Sequence, residues 1–287
     1  MFWALVLAGV ALSACSDPVQ EIQQLAKPEP KAGPTLARFD VVSAAERRAL
    51  PYDLSVGAIG AGAERTYVVA KAESTGRRPA IVFLHGWGTN SMAGYESWIT
   101  HLARQGLAVV FPVYQQPPYT TQSSFRNAYR NMMAGLRKAF ARLPVDRRRV
   151  AVTGLSGGGA LSEDYASTAA AMGLPRPRAL YAIYPARSVF DGPVLLPRHK
   201  GRIAPGTRML TVASKWDEIA GTKWARRILA NASAVPERNK RLKMIRSVRL
   251  GDHTAPGRDT PEVEDTFWAP LDRLLRRSGV LPSSDGP

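Results

Sequence analysis

The stretch Val150–Ala160, VAVTGLSGGGA, decides how the rest of the chain is read. It begins as a short apolar run, Val150–Val152, rich in β-branched residues. It turns through Gly154-Leu155-Ser156-Gly157-Gly158 and leaves as a helix-compatible run, Ala160–Met172. Strand, sharp turn and helix form the setting in which G-x-S-x-G becomes a nucleophile elbow. A serine on a strained turn exposes its Oγ, and small flanking residues let two backbones cross closely. The first N–H groups of the following helix favour negative charge at the corner. Two other Gly-rich motifs fit poorly. A phosphate-binding P-loop needs Lys and Ser/Thr after its last Gly, where this chain has Ala160-Leu161. A dinucleotide fingerprint needs Gly or Ala where this chain has Ser162. A Gly-rich β–α turn without chemistry stays open as the plain alternative.

On both sides of this stretch strands and helices alternate. Arg65–Lys71 alternates as a strand, and Ala80–Leu84 is a continuous apolar run suited to a strand buried on both faces. Met92–Gln105 reads as a helix and Leu107–Val113 as the next buried strand. Ser124–Leu143 reads as an amphipathic helix, with Tyr129, Met132, Met133, Leu136 and Phe140 near helical spacing, as core packing requires. Asp146 reads as a turn residue ahead of the central strand. Ala179–Tyr184 and Arg208–Ala213 follow as strands, Trp224–Ala232 as a helix, Met244–Leu250 as the last strand and Val263–Arg277 as a closing helix. This order predicts an α/β fold with a mainly parallel central sheet and helices on both faces.

A chain of 287 residues, 45% hydrophobic, suits one large α/β domain. Its net charge of +16 predicts attraction to anionic surfaces, whether phospholipid headgroups, glycans or nucleic acid, unless the basic face is merely solvated. Cys15 is the only cysteine, so no intramolecular disulfide can form. Phe2–Leu12 is an apolar run of signal-peptide length, short for a bilayer span. It ends in Leu12-Ser13-Ala14-Cys15, which resembles the lipobox of bacterial lipoproteins, although no basic residue precedes the run. The resemblance implies a lipoprotein signal peptide over 1–14, cleavage before Cys15 and lipidation of that thiol. Ser16 and Asp17 then lean toward the outer membrane of a Gram-negative cell envelope. A plain signal peptide with a chance cysteine is the alternative. Residues 15–37, polar and carrying Pro18, Pro28, Pro30 and Pro34, read as a flexible tether. Residues 38–280 read as the folded domain and 281–287 as a disordered tail.

Three motifs lie at strand ends in one order: His85-Gly86-Trp87-Gly88 after Ala80–Leu84, the elbow at Ser156, and then Asp217 and His253. With them the chain resembles the α/β-hydrolase family from about Arg38 to Gly279. That resemblance implies the α/β-hydrolase fold and serine-esterase chemistry. It implies Ser156 as nucleophile and the backbone N–H groups of Trp87 and Gly157 as the oxyanion hole. Trp87 and Leu155 would line the substrate pocket. The family order places the base after the acid. His85 and His101 precede Ser156, and His199 sits in a Pro- and Arg-rich segment, which leaves His253 in Leu250-Gly251-Asp252-His253-Thr254. For the acid, Asp217 follows the strand Arg208–Ala213, with Glu218 its nearest competitor and Asp191 an outlier. Asp252 adjoins His253 and so points elsewhere.

Asp191–Gly206 is the only room for a cap and is too short for a helical lid, which predicts an open pocket. The sequence has no His-x-x-x-His or clustered Cys pattern, so neither metal nor cofactor is expected. The expected partners are a small-molecule or polymeric ester, a membrane reached by the lipid anchor, and an anionic phospholipid or glycan surface. Nucleic acid is disfavoured by the export signal. Three rivals remain: a non-catalytic basic envelope lipoprotein, and a serine peptidase or an acyltransferase on the same fold.

Overall fold

The computed structural model describes residues 39–72, 76–188 and 192–283. The expected signal peptide, Cys15, the tether and Asp191 lie outside the described residues. Leu281, expected in a disordered tail, is buried against the core, and its N–H donates to the Leu275 carbonyl.

In chain order the main elements are α1 (Ala44–Arg48), β1 (Leu54–Ile59), β2 (Thr66–Lys71), β3 (Arg78–Leu84), α2 (Glu96–Arg104), β4 (Ala108–Pro112) and α3 (Gln122–Arg142). There follow β5 (Val145–Leu155), α4 (Gly157–Thr168), β6 (Ala179–Ile183), β7 (Arg208–Ser214), α5 (Lys223–Asn231) and β8 (Lys240–Ile245). The short α6 (Val248–Gly251) and α7 (Pro261–Val263) lead to α8 (Ala269–Arg277). The strands form one sheet in the order β1-β2-β4-β3-β5-β6-β7-β8. β1 and β2 are antiparallel to their neighbours, and β3 to β8 run parallel.

Strand alternation sorts the core into two layers. Ile81, Phe83, Val109 and Phe111 face Trp98, Ile99 and Leu102 of α2 and Leu271 and Leu275 of α8 in one layer. Val82, Leu84, Val110 and Val152 join Met132, Met133 and Leu136 of α3 and Leu161 and Tyr165 of α4 in the other. A sheet buried on both sides needs apolar residues at successive positions, which is why its central strands read as unbroken runs.

Four boundaries differ from the sequence expectation. β1 was not expected; its Gly57 sits where a Cβ would come within 2.7 Å of the Phe39 Cβ. Asp146 is not a turn residue but lies in the first part of β5, where the register against β3 shifts and its carboxylate accepts from the Arg148 N–H. The last strand is Lys240–Ile245 rather than Met244–Leu250, pairing from Met209↔Lys240 to Ser214↔Ile245. As an edge strand it carries Lys240, Arg241 and Lys243, which hides it from an apolar-run criterion. Ser247 then caps α6 by accepting from the Leu250 N–H and draws Val248–Leu250 into a helical turn. The closing helix is interrupted by a π turn over Glu264–Trp268. Pro270 has no N–H to give to Thr266, and the Thr266 carbonyl is taken instead by Lys243 Nζ at 2.6 Å.

The elbow rests on backbone contact. A Cβ on Gly158 would lie 2.3 Å from the Leu84 and His85 carbonyl oxygens, and one on Gly154 would lie 2.3 Å from the Gly158 oxygen. Replacing Gly158 by Ala therefore forces β3 and α4 apart. Gly158→Ala is expected to destabilise by about 3 kcal/mol or more in urea unfolding. Gly206→Ala, with nothing within 4 Å of the added Cβ, should stay within about 0.5 kcal/mol of the parent.

Candidate active site

Ser156 ends the turn between β5 and α4 at φ 56 and ψ −122, a left-handed conformation that a serine adopts only under constraint. The constraint is visible. Its N–H donates to the Ile183 carbonyl at 3.0 Å, and its carbonyl accepts from Ala160 at 3.1 Å and Ala186 at 3.0 Å. The backbone is thus tied to β6 and to the first turn of α4, and the side chain is pushed outward.

Ser156 Oγ lies 2.9 Å from His253 Nε2, and His253 Nδ1 lies 2.8 Å from Asp217 Oδ2. The other Asp217 oxygen accepts from the Ile219 and Ala220 N–H groups at 3.0 and 2.9 Å. Asp217 is buried, so its carboxylate has no freedom to turn from the imidazole. With Nδ1 protonated and donating to Asp217, Nε2 is left to accept the Ser156 hydroxyl proton. Gly251 lets the His253 loop close on the acid loop, since a Cβ there would meet Ser214 Oγ at 2.4 Å. The Tyr184 hydroxyl donates to the Leu250 carbonyl at 2.5 Å and holds that loop from below.

Glu218 is exposed. The Asp252 carboxylate accepts from Thr254 and Arg258, and its pKa is lowered, chiefly by the Thr254 hydroxyl. His101 pairs with Asp272 at 2.9 Å, and the His199 ring stacks on Tyr129 at 3.6 Å. Among the described residues the structure therefore brings Asp217 and His253, and neither of these neighbours, to Ser156.

The Trp87 loop is fixed on either side. Gly86 N–H donates to the Tyr95 hydroxyl at 2.8 Å and Gly88 N–H to Gln115 Oε1 at 3.2 Å. Between them the Trp87 N–H has no acceptor among the described residues. The Gly157 N–H, first in α4, has no acceptor within its helix. The two amides are neighbours, because a Cβ on Gly157 would lie 4.0 Å from the Trp87 nitrogen. The Trp87 indole donates to the Tyr119 carbonyl at 3.0 Å and stacks on Phe125 at 3.9 Å. Leu155, half-buried, packs against the core layer that holds α2. Two free N–H groups beside a serine oxygen are the arrangement that stabilises a developing oxyanion.

His85 is fully buried, with its ring nitrogens facing the Gly86 and Val113 carbonyls and its ring 4.0 Å from that of Tyr114. Burial pushes its pKa down to about 4 against the two carbonyls.

Sequence reasoning missed a buried charge cluster behind the elbow. Arg187, just after β6, donates to both Asp164 oxygens, to Glu163 at 3.0 Å and to the Ala160 and Pro197 carbonyls. Glu163 also accepts from Arg198 at 2.7 Å and Asn231 at 2.8 Å, and Asp164 from the His199 N–H at 2.9 Å. Burial opposes the Arg187 charge, but Asp164 and then Glu163 outweigh it and raise its pKa. The cluster ties the 192–206 segment to α4, and Gly201 packs against the Ser167 carbonyl. The signal available in the sequence was the adjacent acidic pair in an otherwise small and apolar helix.

Among the described residues, no group of three or more His, Cys, Asp or Glu is placed to hold a metal ion.

A family model described as an alpha/beta hydrolase fold matches residues 81–239. No curated protein sequence matches the chain. Among solved structures, the esterase Est2 of the planctomycete Thermogutta terrifontis is similar with a TM-score of 0.59 at 16% identity, over 77% of this chain and 90% of its own. An esterase of the fungus Rhizomucor miehei matches with a TM-score of 0.58 at 17% identity, over 82% and 89%. Esterase B of Lactobacillus rhamnosis matches with a TM-score of 0.57 at 14% identity, over 82% and 91%. At such identities these structures share the fold.

Two outcomes are expected. Arg187→Met leaves buried Asp164 without its guanidinium and Glu163 with Arg198 alone, and should destabilise the chain by about 3–5 kcal/mol in chemical unfolding. His85, neutral when folded and titrating near 6.5 when unfolded, contributes stability that is whole above about pH 6.5 and lost as pH falls toward about 4. That loss is on the order of 3 kcal/mol. Urea midpoints measured across this range should fall with pH, and His85→Asn should flatten the slope.

Proposed function

Since the chain belongs to the α/β-hydrolase fold family, matched over residues 81–239, we propose that it is a serine hydrolase that cleaves carboxylic esters through an acyl-enzyme. The observation that carries this reading is the chain of contacts from Ser156 Oγ through His253 to buried Asp217, at 2.9 and 2.8 Å. Ser156 Oγ attacks the ester carbonyl carbon while His253 Nε2 takes the hydroxyl proton. Charge gathers on the carbonyl oxygen, and the Trp87 and Gly157 N–H groups bind it, each worth about 10²–10³ in rate. The tetrahedral species collapses, the C–O bond breaks, and His253 returns the proton to the departing alcohol. Water, deprotonated by the same imidazole, then releases the acid and restores Ser156. Asp217 holds the tautomer and steadies the imidazolium without taking a proton itself.

The neighbours support ester chemistry. The Thermogutta terrifontis esterase 2 has been solved phosphorylated by paraoxon, and Lactobacillus rhamnosis esterase B inhibited by a tributyrin phosphonate. The 192–206 segment, described from 192, carries no helix and buries Leu196 and Ile203 in the layer holding α3 and α4. It therefore packs on the body of the domain, which favours an open site lined by Trp87 and Leu155 and a small-molecule or polymeric ester. Exposed Trp216, beside Asp217, with Lys215 over its ring, adds an aromatic surface next to the acid loop.

The chain is further read as an exported lipoprotein, anchored through Cys15 in the cell envelope of a Gram-negative bacterium, at its outer membrane. Leu12-Ser13-Ala14-Cys15 carries that part. Among the described residues no helix is long and apolar enough to cross a membrane.

The test is hydrolysis of p-nitrophenyl esters from acetate to palmitate. Ser156→Ala, His253→Ala and Asp217→Asn should each lower kcat by about 10³-fold or more with the fold intact. Paraoxon should inactivate the parent and add one diethylphosphoryl group, on Ser156. A folded parent inert to every ester, or activity surviving Ser156→Ala, rejects the assignment, and cleavage of peptides alone would move it to a peptidase.

A further inference from the structure

The positive charge of the chain is unevenly placed. Arg65, Arg104, Arg198, Arg249 and Arg258 each have a carboxylate partner. Others, Arg48, Arg126 and Arg226 among them, have none among the described residues, and at the β8 edge of the sheet several such cations converge. A cleft of about 240 Å³ is lined by Arg208, Arg238, Arg241, Lys243, Arg273 and Arg277, and no Asp or Glu contributes to its wall. None of its arginines has a carboxylate partner among the described residues. Arg208 opens β7, Arg238 precedes β8, Arg241 and Lys243 lie on β8, and Arg273 and Arg277 stand four residues apart on α8.

Simpler causes explain only part of this. Charge on an edge strand prevents pairing with another chain, which accounts for Arg241 and Lys243. A cation at a helix C-terminus accounts for Arg277. Neither accounts for Arg208, Arg238 or Arg273, and like charges four apart on a helix repel. Lys243 shows the crowding: burial first, and Arg273 second, lower its pKa. Such a set is more stable beside an anion than without one.

The position of the cleft carries the inference further. β3 to β8 are parallel, and Trp87, Ser156, Asp217 and His253 all follow strand carboxyl ends. The arginines gather at the amino ends of β7 and β8, so they occupy the opposite end of the sheet. Apart from the cations and Asn239 the lining is apolar, half-buried Leu210 with the buried Met209, Pro270 and Leu274, which suits an amphiphile better than a sugar chain.

We propose that this cleft docks on the phosphate groups of an anionic phospholipid membrane and holds the chain with its Ser156 end facing away from the bilayer. The docking stands on the charge arrangement alone; the orientation clause rests on the function proposed above. Substrate would then arrive from the aqueous side, and the lipids of the docked bilayer would be out of reach of Ser156. A basic surface of this kind supplies the second signal that makes a lipid anchor stable.

The experiment uses residues 15–287 as Cys15→Ser, the length that cleavage before Cys15 would leave, so that neither the apolar run Phe2–Leu12 nor a lipid contributes to binding. It is sedimented with phosphatidylcholine vesicles with and without phosphatidylglycerol, at low and high salt. Binding is expected only to the anionic vesicles and should weaken with salt. Arg241→Glu/Arg273→Glu should weaken it by about tenfold or more, and the milder Arg208→Gln/Arg277→Gln by about fivefold. Arg48→Glu/Arg226→Glu, exposed elsewhere and equal in charge change, should shift it by no more than about twofold. Vesicle-bound protein should hydrolyse a soluble p-nitrophenyl ester at the free rate. Equal losses in the two Glu variants, no preference for anionic vesicles, binding to heparin but not to vesicles, or hydrolysis blocked on binding would each overturn the proposal. A chain that binds as expected but hydrolyses no ester in solution would instead reject the proposed function and leave the docking intact.

Discussion

The contact on which the rest depends is the crossing of two backbones at the elbow. Gly158 stands against the carbonyl ends of β3, and Gly154 against Gly158 itself, at separations that leave no room for a Cβ. That crossing sets the depth at which α4 meets the sheet. It also puts Ser156 in its left-handed conformation and brings the Gly157 amide beside that of Trp87. Without it the serine would be one more polar residue on a β–α turn. The strain it stores, of order 1–3 kcal/mol, is offset by hydrogen bonds from Ser156 to β6 and by the buried layers on both sides of the sheet.

Everything else in the site is fastened by backbone groups or buried partners. Asp217 gives one oxygen to two amides and the other to His253. Trp87 is held through its indole, and its flanking amides are held through Tyr95 and Gln115. Behind α4, Arg187 gathers Glu163 and Asp164 and through them the 192–206 segment. A buried ionic cluster is weak evidence of stability by itself. Its value here is geometric: it fixes the helix that carries the candidate nucleophile to the loop leaving β6, from which Ala186 also bonds the Ser156 carbonyl.

The cations of the β8 cleft lie at the amino ends of their strands. In a parallel sheet the carboxyl ends gather the loops that can converge on a ligand. The amino ends are then available for contacts of another kind. The arginines at the start of β7, around the start of β8 and along α8 exploit that separation, because a charged face there does not compete with the electrostatics around His253.

Much of this was legible in the sequence. Apolar runs such as Ala80–Leu84 and Ala179–Tyr184 mark strands because a strand buried on both faces admits nothing else. Gly154 and Gly158 mark the elbow because a Cβ at either would meet backbone at 2.3 Å, and Ser156 between them supplies the oxygen. The order Ser156, Asp217, His253 narrowed four histidines to one. Other features were hidden for physical reasons. β8 disguises itself with edge lysines and arginine, β1 breaks its apolar run with Ser55 and Gly57, and the π turn follows from where Pro270 falls against Lys243. Local sequence, then, determined which segments become strands and helices and which residues are small enough to cross, since those follow from period and side-chain volume. Only the tertiary structure decided that Asp217 rather than Glu218 meets His253, that Arg187 reaches Glu163 and Asp164, and that six cations from β7, β8, α8 and the turn before β8 share one cleft. Those facts depend on distances between residues far apart in the chain, and no local pattern encodes them.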